Sequence, residues 1–269
     1  MKKERTIYYK DELNDEFSSA VIRARKIDEK YRYVHKNVFY RFFSALLYRI
    51  IAKPLAFLFM KIRFGWKVKN KKVLKNVPKN SAYFLYANHT CAAADPFVPA
   101  LLTGWRRAYV IVHPANVSIP FMGRVNAMLG ALPLPDDMKA TKNFLSALEK
   151  RVKRGAAVCI YPEAHIWPYY TKIRPFKDTS FRYPVQYDVP VFTFTNTYRK
   201  RKFRKKPGIV TYVDGPFYPN RHLPVKEAKA ALREEAYTAM KKRAELSDTE
   251  YIRYIRAEEA APTKPQKEE

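Results

Sequence analysis

His89 and Asp95 are the residues of this 269-residue sequence whose types and spacing best suit acid–base chemistry. His89 follows an apolar run, and Asp95 is the only acidic residue between Glu29 and Asp136. In one continuous helix, positions six apart differ by about 240°, so the two side chains would not share a face. They can meet where a strand end turns into a helix, and the proline after Asp95 suits a first helical turn. A carboxylate bound to one imidazole nitrogen fixes the tautomer and leaves the other nitrogen as a general base.

The same two residues also fit a purely structural role, since a loop histidine and a helix-capping aspartate are each satisfied locally. Cys91, two residues from His89, is a conceivable nucleophile. Both cysteines lie in apolar segments, however, which is typical of small buried side chains in a reducing compartment. No pair among the five histidines has a metal-site spacing, so we expect no metal. The residues alone leave the general-base and structural interpretations open.

Short apolar runs alternate with amphipathic segments along the chain. The runs predict five strands, at Ala82–Ala87, Ala108–Val112, Ala156–Tyr161, Val189–Thr195 and Ile209–Val213. Helical spacing occurs at 143–153 and 224–246, and Gly155 suits the position after a helix end. Continuous apolar strands separated by helices predict an α/β fold with a largely buried sheet. The motifs G-x-G-x-x-G, G-x-x-x-x-G-K-[ST] and G-x-S-x-G are absent, which argues against dinucleotide binding, P-loop nucleotide hydrolysis and serine hydrolysis.

The charge of the chain is strongly positive and unevenly distributed. Lys and Arg number 52 against 25 Asp and Glu, which gives a formal net charge of +27. Between Lys30 and Ala94 there are fourteen Lys or Arg residues and no acid. Such a half-molecule needs an anionic partner, either nucleic acid or a membrane with anionic lipids. The aromatic residues cluster in apolar runs instead of alternating with cations, which favours the membrane.

Residues 38–64 carry the features of a membrane anchor. Their uncharged runs reach only seven residues, whereas a crossing helix needs about 20 apolar residues. Arg41, Arg49 and Lys53 form one narrow stripe, and aromatic and aliphatic residues fill the rest. Pro54 should break or kink the helix. We expect an amphipathic helix pair in the membrane interface. The alternative is a helical hairpin on the domain's own core, although burying three cations there would be costly.

Five short blocks occur in an order that points to a known family. They are Ala87-Asn88-His89 with Asp95-Pro96-Phe97, Ile119–Gly123, Gly130–Leu132, Tyr161–Glu163 and Val189–Val191. Over roughly residues 82–217, the chain resembles the phospholipid/glycerol acyltransferase family, typified by 1-acylglycerol-3-phosphate acyltransferases. The resemblance implies a glycerolipid-acyltransferase-like α/β domain over residues 65–257, with a mixed, mostly buried sheet flanked by helices.

The resemblance also implies a reaction and the residues that perform it. His89 would take the proton from an acceptor hydroxyl while Asp95 orients the imidazole. The hydroxyl would attack a fatty-acyl thioester without a covalent enzyme intermediate. The donor would be acyl-CoA or acyl-carrier protein, with no other cofactor, and the acceptor a lysophospholipid or related glycerolipid. Glu163 would help to hold the acceptor, and Val189–Val191 would line the acyl or acceptor region.

The sequence departs from the family pattern at three places. Five residues, where four are usual, separate His89 from Asp95. The block that ends at Gly130–Leu132 lacks its usual terminal Arg, and Ala164-His165-Ile166 replaces the Gly-Thr-Arg that usually follows the block at Tyr161–Glu163. Because a phosphate needs clustered cations, we expect substitutes close by in the sequence: Arg124, Lys172, Arg174 and Lys177. Otherwise the acceptor is not a phosphate monoester, and His165 either contacts a different head group or is a polar loop residue.

The remaining segments complete the predicted organisation. Residues 1–37 are polar and helical in tendency, and residues 258–269 form a disordered tail. A second basic run, 199–206, lies between two strands, as a solvated turn or as a contact for anionic lipid or nucleic acid. No secretory signal is visible, so we expect the cytoplasmic face of the membrane. Two alternatives to an enzyme remain: an inactive lipid-surface binding protein of the same fold, and a basic nucleic-acid-binding module.

Overall fold

Two β-sheets are present in the computed structural model, which describes residues 5–17 and 22–258. The strands are β1 Arg5–Tyr9, β2 Lys67–Lys69, β3 Tyr83–Ala87, β4 Ala108–Val112, β5 Ala131–Pro133, β6 Ala157–Ile160, β7 Val191–Arg201, β8 Arg204–Phe217 and β9 Ile252–Arg256. Seven of them form the central sheet in the order β2-β8-β7-β3-β6-β4-β5, and β1 pairs with β9. All pairs in the central sheet are parallel except the β7–β8 hairpin. The basic run 199–206 therefore lies at a hairpin turn.

Seven α-helical segments accompany the described strands. They are α1 Val38–Leu46, α2 Lys53–Phe64, α3 Val98–Leu102, α4 Met122–Leu129, α5 Met138–Lys153, α6 Arg182–Tyr187 and α7 Val225–Ala244. Helix α5 begins five residues earlier than the spacing predicts, because Asp137 caps it by accepting the Ala140 N–H at 2.8 Å. Gly155 follows its end at φ +69°, where an added Cβ would lie 2.2 Å from the Asn80 carbonyl oxygen.

Alternate residues of β3 bury two different cores. Leu85 belongs to a cluster with residues of α2 and α3, whereas Phe84 and Tyr86 belong to a cluster with residues of α5 and α7. Because both faces are covered, the strand reads as a continuous apolar run. The predicted class, a mixed and mostly parallel buried sheet flanked by helices, is confirmed.

The predicted anchor pair is one continuous helix from Val38 to Phe64. A π-helical segment, Leu47–Ala52, joins α1 to α2, so the expected break at Pro54 does not occur. A proline in a straight α-helix clashes with the carbonyl four residues earlier. The wider π turn resolves this locally, and the Lys53 N–H donates to Tyr48 O, five residues back.

The helical tendency predicted for residues 1–37 is not realised in their described part. Arg5–Tyr9 is a strand, and 22–37 is irregular. Ile27 is fully buried, and its N–H donates to Asp136 Oδ2 at 2.6 Å, while Tyr33 OH donates to Pro133 O at 3.0 Å. These tertiary contacts override local helix propensity. The tail predicted to be disordered lies, from residue 259 onward, outside the described residues.

Candidate active site

The candidate site lies at the carboxyl ends of β3 and β6, two adjacent parallel strands. His89 follows the end of β3 by two residues, and Glu163 follows the end of β6 by three. Parallel strands end at the same edge of a sheet, where α/β proteins commonly bind their ligands. The topology therefore brings together two residues that lie 74 positions apart in sequence.

The structure places the side chains of His89 and Asp95 in direct contact, with Nδ1 and Oδ2 2.8 Å apart. The chain turns at 91–95, where the Asp95 N–H donates to Cys91 O at 2.9 Å, and this turn accommodates the additional residue. The Asp95 carboxylate also accepts the Cys91 N–H at 3.0 Å and the Asn196 amide at 3.3 Å. A carboxylate that only accepts hydrogen bonds makes Nδ1 the protonated nitrogen. Nε2 is then the basic one.

The exposure of the pair matches its arrangement. The side chain of His89 is 19% exposed, whereas that of Asp95 is 1% exposed. Tyr161 stacks on the imidazole with ring centroids 4.5 Å apart, and its hydroxyl donates to Asp95 O at 2.6 Å. The imidazole is therefore fixed on one side by a carboxylate and on one face by a phenol ring. Sequence reasoning used Tyr161 only as part of a block and missed Asn196.

Glu163 lies beneath the His89 loop and does not face an open site. Its carboxylate is buried, accepting the His89 N–H at 2.9 Å and the Arg174 N–H at 3.0 Å. Burial raises the pKa of Glu163, and the Arg174 charge opposes that rise. The sequence predicts that this residue holds the acceptor. In the structure it positions the backbone of His89 instead, because its side chain has no exposure.

Arg174 also differs from the sequence expectation. It is 1% exposed, and its guanidinium lies 3.7 Å from the Glu163 carboxylate. Nη1 and Nη2 of the guanidinium donate to the carbonyl oxygens of Glu163, His165 and Glu12, whereas Nε is buried with no hydrogen-bond partner among the described residues. This arginine is a structural partner of a buried carboxylate, not an exposed phosphate-binding cation, because an unpaired carboxylate at that depth would be costly.

The other predicted acceptor-binding residues lie outside the immediate site. His165 pairs with Glu16, with 3.1 Å between Nδ1 and Oε2. Arg124, Lys172 and Lys177 are exposed. Among the described residues, no hydrogen bond or ion pair connects these three side chains to His89 or Asp95. Nor does any cluster of three or more His, Cys, Asp or Glu suited to a metal occur in that part of the chain.

Arg63, in the last turn of α2, is a cation near the site that sequence reasoning missed. Burial raises the pKa of Cys91 and Tyr169 to about 12 each, and the Arg63 charge acts against both shifts. Met60 and Phe64 of α2 share a buried cluster with Cys91. The end of the long helix therefore packs against the loop that carries the His–Asp pair. No local signal reveals this contact, since it joins residues far apart in sequence.

The chain is similar to known proteins both in sequence pattern and in fold. Residues 68–196 match the family model named Acyltransferase. The fold is similar to the crystal structure of the 1-acyl-sn-glycerophosphate (LPA) acyltransferase PlsC from Thermotoga maritima, with a TM-score of 0.52 and 19% identity over 76% of this chain and 87% of that one. No curated protein sequence matches the chain.

The matched segment contains the features that the site is built from. It begins in β2, includes His89, Asp95 and Glu163, and ends at Asn196, which donates to the Asp95 carboxylate. The likeness to the solved structure shows the fold, and the family model covers the segment that carries the His89–Asp95 pair. Residues 68–196 therefore match the sequence pattern of an acyltransferase domain, in a fold similar to that of a solved LPA acyltransferase.

Proposed function

We propose that the protein is a membrane-associated O-acyltransferase that moves a fatty-acyl group from an acyl thioester to the hydroxyl of a lysophospholipid or related glycerolipid. The observation that carries the proposal is the 2.8 Å contact between a partly exposed imidazole and a buried carboxylate inside an acyltransferase-family segment. The donor is acyl-CoA or acyl-carrier protein, and the strongly basic chain favours such an anionic donor.

In the proposed reaction, Nε2 of His89 accepts the proton of the acceptor hydroxyl. The oxygen then attacks the thioester carbonyl carbon, so a C–O bond forms and the C–S bond breaks. The leaving thiolate takes the proton back from the imidazolium. Asp95 stabilises the positive imidazolium and keeps the ring in one tautomer. No enzyme nucleophile is needed, and the buried Cys91 thiol, with its pKa raised by burial, is a poor one.

The long helix supplies the route to a substrate dissolved in a bilayer. By length and composition, Val38–Phe64 is the one helix among the described residues that could cross a membrane. It packs on the domain along its length, through Ser44, Tyr48 and Met60. A helix held in this way lies parallel to the surface of the domain, so we propose that it lies in the membrane interface.

The opposite face of this helix is apolar and uncovered. Its exposed large side chains are Val38, Phe39, Phe42, Phe43, Leu46, Ile50, Ile51, Leu55, Phe57, Leu58, Phe59 and Ile62. Phe59 also contacts Phe97, two residues after Asp95, with ring centroids 5.6 Å apart. An acyl chain on this face reaches the catalytic loop without leaving an apolar environment. We propose the cytoplasmic leaflet, because anionic lipids there attract a basic protein.

We assign the acceptor's phosphate to Arg63. The cations usual in the family are missing, and Arg174 is already paired with Glu163. Arg63 carries a positive charge beside the Cys91 loop. Among the described residues, its guanidinium has neither an ion pair nor a hydrogen bond. A lysophospholipid with a terminal phosphate monoester would place that group against an unpaired guanidinium.

The test is transfer by purified protein in detergent, with acyl-CoA and acyl-carrier-protein donors and a panel of lysolipids. We expect His89→Ala and Asp95→Asn to lose about 10²- to 10⁴-fold in turnover while vesicle binding persists. His222→Ala, which removes an exposed histidine, is the matched control. Unchanged turnover in either site variant would contradict the mechanism. Vesicle binding by a wild-type protein that consumes no thioester would instead establish a lipid-surface protein without activity.

A further inference from the structure

A second candidate ligand site lies at the opposite edge of the central sheet from His89. A cavity of about 990 Å³ opens there, beside the amino-terminal ends of β3, β4 and β6. Asn80 precedes β3, Arg107 precedes β4 and Ala156 precedes β6, and all three line it. The cavity shares no lining residue with the His–Asp site, so its role has to be derived separately.

The lining of this cavity is strongly cationic. Eight of its residues are Lys or Arg, and none is Asp or Glu: Arg41, Arg49, Lys79, Arg106, Arg107, Lys150, Arg151 and Arg154. Within the described part of the chain, none of the eight has a carboxylate within 4.0 Å. Clustered cations without counter-charges repel one another, and a bound anion relieves that repulsion.

Three of the arginines are built into the wall. Arg106, Arg107 and Arg151 donate to backbone carbonyl oxygens, and the Nε atoms of Arg107 and Arg151 are buried with no hydrogen-bond partner. Burial lowers the pKa of Arg106 and Arg151, which shows that these charges are held at a cost. The wall is therefore an organised cationic surface, not a set of mobile side chains.

The other five cations are free to bind a ligand. Arg41, Arg49, Lys79, Lys150 and Arg154 are exposed, and their side chains make no hydrogen bond to another described residue. They come from separate segments: helix α1, the π turn, the loop before β3, and the end of α5 and the residue after it. A multivalent anion between them would be contacted from several sides.

The mouth of the cavity is apolar on the side of the long helix. Val38 and Phe42 of α1 line the cavity and are exposed, and so is Trp105, at 82%. An exposed tryptophan beside cations and apolar side chains is typical of the head-group level of a membrane. A ligand with an anionic head and acyl chains would match both parts of this surface, whereas a soluble phosphate compound would match only one.

We propose that this cavity binds the phosphate head group of an anionic membrane glycerophospholipid, whose acyl chains lie along the exposed face of α1. The proposal rests on the membrane placement of the long helix in the proposed function, but not on acyl transfer. That helix is 27 residues long, or about 40 Å. A lipid bound at its amino-terminal half would hold the other half, with the catalytic loop, against the bilayer.

The test compares two triple variants that remove the same charge. Arg41→Ala, Lys150→Ala and Arg154→Ala remove three of the five free cations of the cavity, and Arg199→Ala, Lys202→Ala and Arg204→Ala remove three cations of the β7–β8 hairpin. Flotation with phosphatidylcholine vesicles, with and without phosphatidic acid, measures binding. Each cation near an anionic surface contributes about fivefold, so we expect the cavity triple to bind phosphatidic acid vesicles roughly a hundredfold more weakly. We expect the hairpin triple to stay within about fivefold of wild type.

Trp105 provides a local readout. Trp66 and Trp167 are buried, so a change in tryptophan emission on adding dihexanoyl phosphatidic acid reports on the cavity. We expect the change in the wild type and the hairpin triple, and its loss in the cavity triple and in Trp105→Phe. Equal weakening of vesicle binding by both triples would overturn the proposal, since charge alone would then explain it. The proposal would also be overturned by a combination of two results. CoA or inorganic pyrophosphate would saturate the change in Trp105 emission, and the cavity triple would bind vesicles as well as the wild type does.

A separate assay distinguishes this failure from failure of the proposed function. With a short-chain, water-soluble acceptor, the cavity triple should keep wild-type turnover, while His89→Ala should lose it and still bind phosphatidic acid vesicles. If neither the wild type nor any variant turns over an acceptor, the proposed acyl transfer is wrong, and the lipid site is then judged on its binding data alone. If turnover is normal but the cavity triple binds vesicles like wild type, the lipid site fails alone.

Discussion

The two edges of the central sheet differ in whether their charged side chains have counter-charges. At the carboxyl edge, Asp95 and Glu163 are buried and accept hydrogen bonds, and of the three side chains His89, Asp95 and Glu163 only His89 is partly exposed. At the amino edge, eight cations line one cavity without a carboxylate among them. Charged side chains that are paired hold a reacting group in a fixed geometry, whereas cations without counter-charges remain available to bind an anionic ligand. The same fold provides both because loops at its two edges are built independently.

The strongest way to break this comparison is to remove compensation at the carboxyl edge. Glu163→Gln leaves the buried Arg174 guanidinium without its counter-charge, which typically costs about 3–5 kcal/mol in free energy of unfolding. Chemical denaturation measures this loss, provided that the free energy of unfolding depends on denaturant concentration with the same slope in the variant and the wild type. Glu149→Gln, at the exposed Glu149–Lys153 pair, is the control and should not change stability measurably. A Glu163→Gln protein as stable as the wild type would show that the Glu163–Arg174 pair does not stabilise the fold.

How much of this arrangement the sequence could predict depends on the range of the contacts. Strand β4 has the predicted bounds, because a continuous apolar run is a local signal. The break expected at Pro54 is absent because the π-helical segment before it accommodates the proline. No pattern of residue types predicts that segment. Arg174 was a reasonable phosphate ligand on sequence alone. Its burial against Glu163, and the approach of Arg63 to Cys91, depend on long-range packing that is not encoded in neighbouring residues.

A second experiment sharpens the comparison by testing Arg63, a cation near the carboxyl edge whose guanidinium has no ion pair or hydrogen bond to another described residue. We expect Arg63→Ala to raise the KM for lysophosphatidic acid about 10- to 100-fold, in line with about 1.5–3 kcal/mol for a hydrogen bond to a charged group. The KM for monoacylglycerol, which lacks a phosphate, and kcat should change little. The hydrogen bond that the Arg201 guanidinium donates to the Arg63 carbonyl oxygen survives the substitution, because the acceptor is a backbone atom.

Two further variants make this result specific. Lys61→Ala removes an exposed cation two residues away on the same helix and should leave both KM values unchanged. Arg63→Lys keeps the charge and should recover part of the affinity, since a lysine binds phosphate as a point charge. If Arg63→Ala raised KM equally for both acceptors, the residue would act on helix packing and not on the phosphate.

The smallest expected effect concerns the fixing of the imidazole. Tyr161→Phe keeps the ring stacked on His89 but removes the hydroxyl that donates to Asp95 O. A neutral hydrogen bond contributes about 0.5–1.5 kcal/mol, so we expect kcat to fall about two- to tenfold with KM unchanged. Tyr161→Leu removes the stacking as well and should cost more. Because the tyrosine acts only through the position of the histidine, combining Tyr161→Phe with His89→Ala should add nothing to the loss from His89→Ala alone. A further loss in the double variant would show that Tyr161 contacts the substrate directly.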